Sequence, residues 1–128
     1  MAPIVAIIDP DANFVSHIEQ TCSALGLSAL VDDGSQNVID FVKGATPALV
    51  VLNLELPRGA SSGFSECNKL KRHAELRDIP VILTSGQAAP EALSKHGQSK
   101  TPADAYLAKP FAMDVLVGTI EKLIGSID

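Results

Sequence analysis

The stretch Ala48-Leu49-Val50-Val51-Leu52-Asn53 joins five consecutive apolar residues to a single polar amide. A short apolar run without alternation is typical of a strand that is buried on both faces of a parallel sheet. Four other short runs also predict strands, and they cover residues 4–8, 27–31, 80–84 and 104–108. The quoted stretch, with its strand at 48–52, is therefore the third of five predicted strands.

Each predicted strand is followed by a helical pattern whose limits are marked by caps, glycines or a proline. The first helix is capped by Asp11 or Asn13 and ended by Gly26, and the second is capped by Ser35 and stopped by Gly44. The third covers residues 64–73, a weak fourth begins at Pro90, and the fifth carries Met113 through Ile124. Repeats of strand and helix imply parallel strands with right-handed crossovers. The sequence therefore predicts a three-layer, doubly wound α/β domain.

The fourth predicted helix has a poor apolar face. Between Pro90 and His96 only Ala92 and Leu93 are apolar, and Gly97 follows. Because helix stability comes mainly from a packed apolar face, we expect this helix to be short, displaced or mobile.

Polar side chains stand at the ends of the predicted strands, namely Asp9, Asn53, Thr84 and Lys109. In an open parallel sheet the carboxyl ends of the strands meet at one edge, where ligand sites form. We therefore expect these four side chains to lie together. A carboxylate at position 53 would favour a metal and phosphate site, whereas the amide of Asn53 is neutral and a poor nucleophile.

Composition limits the possible functions. The 128 residues indicate one domain, and 46% hydrophobic with 20% charged residues is ordinary for a globular protein. A net charge of -5 argues against nucleic-acid binding by this domain, because phosphate contacts need clustered cations. The one basic cluster is mixed with acids on a predicted helix and indicates a solvated face; its residues are Glu66, Lys69, Lys71, Arg72, His73 and Glu75.

Cysteine and histidine positions give no metal-binding pattern. Cys22 and Cys67 fall on apolar helix positions, which favours small buried side chains over a disulfide. His17, His73 and His96 are far apart and are each interpreted as surface or helix-edge residues. The first residues show no basic segment followed by an apolar one, so we expect no secretion signal, and no apolar run approaches the roughly 20 residues that span a bilayer. A cytoplasmic location without membrane contact is the expectation.

Four blocks of sequence occur in order, which are Ile7-Ile8-Asp9-Pro10-Asp11, Leu49 to Pro57, Arg77 to Thr84 and Ala103 to Phe111. Through these blocks the chain resembles, over essentially its whole length, a bacterial response-regulator receiver domain. It implies a flavodoxin-like five-stranded parallel sheet in the order 2-1-3-4-5 and a signalling role without enzyme activity. Residues 1–128 would form one receiver-like domain, and a longer protein carrying it as its N-terminal domain stays open.

The resemblance also implies roles for individual positions. An aspartate at position 53 would accept a phosphoryl group from a histidine kinase, and two acids after the first strand would hold Mg²⁺ with a backbone carbonyl two residues past the acceptor. Thr84 would bond the phosphoryl oxygens and Lys109 would neutralise their charge. Tyr106 would rotate inward when the site is occupied. The Lys109-Pro110 bond would be cis.

The chain departs from this pattern at two decisive positions. Asn53 replaces the acceptor and Pro10 replaces the second acid, so the nucleophile and two of three metal carboxylates are missing. Asp11 could partly compensate but is expected to cap the first helix. Glu55 suits donation of its backbone carbonyl, and its side chain need not face the site. We expect no cofactor, with Mg²⁺ binding lost or weak.

The same residues predict how an empty pocket is held. Lys109 has Asp9 as its obvious partner, and we expect a direct contact between them. Asn53 can both donate and accept hydrogen bonds, so it could bridge that pair.

Three functions are compatible with these observations. The leading hypothesis is a pseudo-receiver that acts by phosphorylation-independent protein–protein interaction, with a homodimer through the fourth helix, fifth strand and fifth helix as a family-based option. The second is a working phosphorelay receiver with an unusual acceptor, such as Glu55 or a hydroxyl of Ser61-Ser62. The third, a small α/β enzyme or ligand-binding domain, is disfavoured because the sequence has no GxGxxG, no GxxxxGK[ST] and no GxSxG at the end of a predicted strand.

Overall fold

The computed structural model describes residues 3–57, 62–86 and 90–125. Within these residues five strands alternate with five helices. In chain order they are β1 Ile4–Ile8, α1 Ala12–Ala24, β2 Ser28–Asp32, α2 Val38–Ala45, β3 Leu49–Asn53, α3 Ser62–Arg72, β4 Val81–Ser85, α4 Pro90–Gly97, β5 Ala105–Ala108 and α5 Met113–Ile124.

All strand pairs in the sheet are parallel, and the order is β2-β1-β3-β4-β5. This confirms the flavodoxin-like α/β fold. The register aligns the carboxyl ends of the central strands, because Asn53 of β3 lies beside Thr84 of β4. Ile8 of β1 pairs with Leu52, so the residue that follows β1 also reaches this edge.

The core has two layers, one on each face of the sheet. Val50 and Leu52 of β3 pack against α2 and α3 on one face, whereas Leu49 and Val51 pack against α1 and α5 on the other. Every residue of β3 is at most 3% exposed. Burial on both faces therefore explains why this strand is continuously apolar.

The predicted limits of α2 are wrong at both ends. The helix begins after Asn37, whose side-chain oxygen accepts from the Asp40 backbone N–H at 3.1 Å, and not at Ser35. It runs through Gly44 to Ala45 and ends at Thr46, which adopts a left-handed conformation with φ 43°. Ser35 instead donates its backbone N–H to the Asp33 carboxylate. A glycine late in a helical pattern therefore did not end the helix here.

Two side chains expected at the surface are buried, and these expectations are wrong. His96 is 9% exposed and Glu66 is 5% exposed. Glu66 pairs with Lys69 at 3.2 Å, and Lys71 pairs with Asp104 at 2.6 Å. The basic cluster is thus only partly a solvated face, because Lys69 pairs with the buried Glu66 and the Lys71 side chain, paired with Asp104, is only 14% exposed.

Other predictions of burial are confirmed. Cys22 and Cys67 are both buried free thiols, and burial raises the pKa of each to about 11.

The helix from Pro90 is short, and His96 is its buried residue. Among the helices that the structure describes, none is long and apolar enough to cross a membrane.

Candidate functional site

The carboxyl edge of the sheet brings the predicted side chains together. Asp9 follows β1, Asn53 ends β3, Thr84 lies near the end of β4, and Lys109 follows β5. Asp9 and Asn53 are each 3% exposed and Thr84 is fully buried. The polar groups at this edge therefore need partners inside the protein.

Asn53 is bonded on both sides of its amide. Its Nδ2 donates to the backbone carbonyl of Glu55 at 2.8 Å, and its Oδ1 accepts from Thr84 Oγ1 at 3.3 Å. The carbonyl can only accept, so the amide nitrogen must be the atom that faces it. A carboxylate could not make the first of these bonds at neutral pH.

The predicted contact between Lys109 and Asp9 is confirmed. Lys109 Nζ lies 2.9 Å from Asp9 Oδ2, and the other carboxylate oxygen accepts from the Asp11 backbone N–H at 2.8 Å. The Asp9 side chain is 1% exposed. The ammonium also lies 3.9 Å from the centroid of the Phe14 ring, a cation–π contact. Charge pairing and the ring together explain how this carboxylate tolerates burial.

The expected bridge from Asn53 to that pair is wrong. Lys109 reaches Asp9 directly, and the amide bonds Glu55 and Thr84 instead. The site therefore has two separate groups of bonds, one between the ends of β1 and β5 and one between the ends of β3 and β4.

The two positions after Asp9 do not add metal ligands facing the pocket. Pro10 is exposed and has no polar side-chain atom. Asp11 is exposed and caps α1, as predicted, by accepting from the backbone N–H groups of Asn13 and Phe14 at 3.1 and 3.2 Å. Across residues 3–57, 62–86 and 90–125, no three His, Cys, Asp or Glu side chains are grouped to hold a metal ion.

Sequence reasoning missed the role of the Glu55 side chain. Its Oε2 accepts from Ser85 Oγ at 2.6 Å, and its Oε1 accepts from the Gly86 backbone N–H at 2.9 Å. We call these three residues the Glu55 clamp, because they tie the segment after β3 to the end of β4. An acid two residues past a strand, beside a neighbouring strand that ends in serine, was the available signal.

Tyr106 is half-buried on β5 and points into the layer that contains α3 and α4. Its hydroxyl oxygen accepts from the Ala103 backbone N–H at 2.9 Å and lies 2.6 Å from His96 Nδ1. Burial raises the pKa of this phenol above its ordinary value. The Lys109-Pro110 peptide bond is cis, as the resemblance implied.

Comparison with known proteins agrees with this architecture. The model of the response regulator receiver domain family matches residues 5–121. The sensory transduction protein BceR of Halalkalibacterium halodurans is 26% identical over 120 residues, covering 94% of this chain and 49% of that protein. The phosphate regulon transcriptional regulatory protein PhoB of Klebsiella pneumoniae is 26% identical over 124 residues, covering 97% and 52%. The chain thus spans about half the length of these relatives.

Solved structures show the same fold. A putative response regulator from Chloroflexus aurantiacus superposes with a TM-score of 0.85 at 18% identity, covering 98% of this chain and 100% of that one. The signal receiver domain of a histidine kinase from Syntrophus aciditrophicus gives 0.82 at 22% identity, covering 96% and 90%.

Proposed function

Because the chain belongs to the response regulator receiver domain family, we propose that it is a pseudo-receiver, a signalling module whose output does not depend on phosphorylation of residue 53. It would act by binding a protein partner in a bacterial two-component-type pathway, and not as an enzyme. One observation carries the proposal. The Asn53 amide donates to the Glu55 carbonyl at 2.8 Å, so the side chain at position 53 is bonded to another group of the protein itself.

The amide removes the nucleophile that the family resemblance places at this position. An amide is neutral at physiological pH, and its nitrogen lone pair is delocalised into the carbonyl. In phosphoryl transfer the other residues of the site mainly position the reacting groups and neutralise their charge. They do not supply a nucleophile, so they cannot take the place of a missing acceptor. The position can therefore hold the pocket together but not accept phosphate.

The residues present also do not fit the Mg²⁺ that the resemblance implies. This ion takes oxygen ligands in near-ideal octahedral geometry, usually with one or two carboxylates. Asp9 is already paired with Lys109, and the Glu55 carbonyl faces the Asn53 nitrogen. An ion would compete with both contacts for these oxygens, which supports the proposal that Mg²⁺ binds weakly or not at all.

The Glu55 clamp supports a fixed conformation for the output. Its carboxylate already holds Ser85 Oγ and the Gly86 N–H, both at the end of β4. In the family pattern a hydroxyl at the end of the fourth strand would bond a phosphoryl oxygen. Here that hydroxyl, of Thr84, donates to Asn53 Oδ1, and the Glu55 carboxylate holds the next residue, Ser85, so the end of β4 is held without an added group.

The partner is proposed from family likeness and surface chemistry. A net charge of -5 disfavours nucleic acid as a ligand of this domain, so a protein is the proposed partner. The face formed by α4, β5 and α5 is the proposed site for such a partner or a second copy, and it includes Val115, which is 47% exposed. A cytoplasmic location belongs to the same proposal.

Titration with Mg²⁺ and beryllofluoride tests this function. We expect the amide NMR signals of Asn53, Thr84 and Lys109 to show no saturable shifts in the natural chain. The matched control is the double variant Pro10→Asp with Asn53→Asp, which regains both missing carboxylates and should show saturable shifts. Specific saturation in the unaltered protein would contradict the proposal.

The same protein can be treated with acetyl phosphate to test an unusual acceptor. Both oxygens of Glu55 already accept hydrogen bonds, which makes its carboxylate a weaker nucleophile. We therefore expect no phosphoryl adduct by mass spectrometry. An adduct located at Glu55 or at a hydroxyl of Ser61-Ser62, of which Ser61 lies outside the residues that the structure describes, would instead establish a working phosphorelay receiver.

A further inference from the structure

His96 joins three elements of the fold through one buried ring. Its Nδ1 lies 2.6 Å from the hydroxyl oxygen of Tyr106 on β5, and its Nε2 lies 2.7 Å from Asn68 Oδ1 on α3. The ring also stacks on Phe64 of α3, with centroids 4.7 Å apart and planes 23° from parallel. His96 is the buried residue of α4, and the half-buried Leu93 packs against the same layer, so these contacts attach α4 beside an apolar one.

The hydrogen bonds around this ring accommodate its neutral form. The Tyr106 oxygen accepts from the Ala103 N–H, so the phenolic proton is free to be donated to His96 Nδ1. Asn68 Oδ1 accepts from Thr101 Oγ1 at 2.7 Å. It also faces His96 Nε2, and an oxygen that accepts there requires a proton on Nε2. The whole set is satisfied by neutral His96 with its proton on Nε2. We call these residues the His96 network; they are Asn68, His96, Thr101, Ala103 and Tyr106.

A second proton would break the network at one point. It would sit on His96 Nδ1 and face the Tyr106 hydroxyl oxygen, which already accepts from the Ala103 N–H. The phenolic proton of Tyr106 would then lose its acceptor. The groups that contact the ring from α3 and β5 are Phe64, Asn68 and Tyr106, which are uncharged at neutral pH. The charged side chains of the elements around the ring are Glu66 paired with Lys69, Lys71 paired with Asp104, the exposed Arg72 and Lys100, and Glu91 and Lys95 of α4.

We propose that His96 is a proton-responsive attachment of α4, so that the α4–β5 surface is held at neutral pH and released at mildly acidic pH. This device is independent of residue 53 and adds a regulatory input to the proposed pseudo-receiver. Protonation acts at the contact between Tyr106 and His96, which lies on the face proposed for partner binding. A partner that needs the held surface would therefore bind less well as the pH falls.

The direction of the pH dependence follows from burial. Desolvation lowers the pKa of His96 below its ordinary value of about 6.5. A lowered value in the folded state means that the attached form prefers the neutral ring. Its stabilisation is therefore complete above about pH 6.5 and is lost as the pH falls through the lower folded-state value.

An NMR titration of the full chain from pH 7.5 to 5 tests this proposal. We expect the His96 ring signals to titrate below pH 6.5, and the amide signals of residues 90–97 and 105–108 to shift with the same midpoint. Amide exchange in α4, corrected for intrinsic pH dependence, should accelerate by about tenfold for each unit by which the pKa is lowered. His17→Gln, an exposed site on α1, is the matched control and should leave this response unchanged.

Two variants keep the test decisive. His96→Gln should abolish the pH dependence of exchange in α4, because glutamine does not titrate. Tyr106→Phe removes the hydroxyl, so exchange in α4 should be faster already at pH 7.5 and less dependent on pH. If the His96 ring titrates while residues 90–97 and 105–108 keep constant shifts and exchange rates, the proposal is overturned. It is equally overturned if His96→Gln retains the pH response.

Discussion

Replacing Gly63 with alanine is expected to lower the free energy of unfolding by about 3 kcal/mol, a large value for one added methyl group. A Cβ at this position would lie 2.4 Å from the Leu54 Cα and 2.6 Å from the Asn53 carbonyl oxygen. The Gly63 N–H also donates to the Leu54 carbonyl at 2.8 Å, which holds α3 against β3. Both neighbours are backbone atoms of a buried central segment, so neither can move aside at small cost.

Chemical denaturation with urea measures this effect, and Gly44→Ala is the matched control. Gly44 lies exposed in α2, and a Cβ there meets nothing within 4 Å. That substitution should raise stability by about 0.5–1 kcal/mol, since alanine restricts the unfolded chain and suits a helix. Equal stability of the Gly63→Ala variant and the natural chain would show that α3 does not pack this closely on β3.

Much of the fold could be predicted because burial leaves a direct pattern in sequence. β3 is apolar throughout because both of its faces are covered, and the alternation of strands with helices implied parallel pairing. Strand limits were less accurate. β2, β3 and β4 each lie one residue further along the chain than predicted. Apolar runs report burial, whereas the limits of a strand depend on backbone hydrogen bonds to its neighbours.

Contacts at the site could be predicted where opposite charges lie at the same edge of the sheet. Asp9 and Lys109 carry opposite charges at ends of the same sheet, so their contact could be foreseen. The contacts of the Glu55 side chain left only a weak signal, and those of His96 left none, because neither residue stands at a strand end opposite a residue of opposite charge. His96 bonds Asn68, 28 residues earlier, and sits on a helix with few apolar residues. A polar residue that is buried by its partners looks like a surface residue in sequence.

Asn53→Asp is expected to lower the free energy of unfolding by about 2–4 kcal/mol at pH 7 without metal. The substitution places a carboxylate oxygen where Nδ2 now donates to the Glu55 carbonyl at 2.8 Å. Two acceptors would then face each other at a position that is 3% exposed. Protonation of the new carboxyl restores a donor, so the loss should shrink as the pH falls from 7 to 5.

Thermal or urea unfolding measures this loss, and Asn37→Asp is the control with the same change in net charge. Asn37 is the exposed N-cap of α2, where asparagine and aspartate cap about equally well. That variant should stay within about 0.5 kcal/mol of the natural chain. A comparable loss in both variants would mean that net charge, and not the bond to Glu55, determines the result.

Adding Mg²⁺ to Asn53→Asp then separates the acceptor from the metal site. Ligand binding to the folded state stabilises it in proportion to the logarithm of ligand concentration over Kd. Position 10 still lacks a carboxylate in this variant, so Mg²⁺ should recover little of the lost stability. The double variant Pro10→Asp with Asn53→Asp should recover much more at the same ion concentration. Equal recovery in the two variants would show that Pro10 does not limit Mg²⁺ binding once position 53 carries a carboxylate.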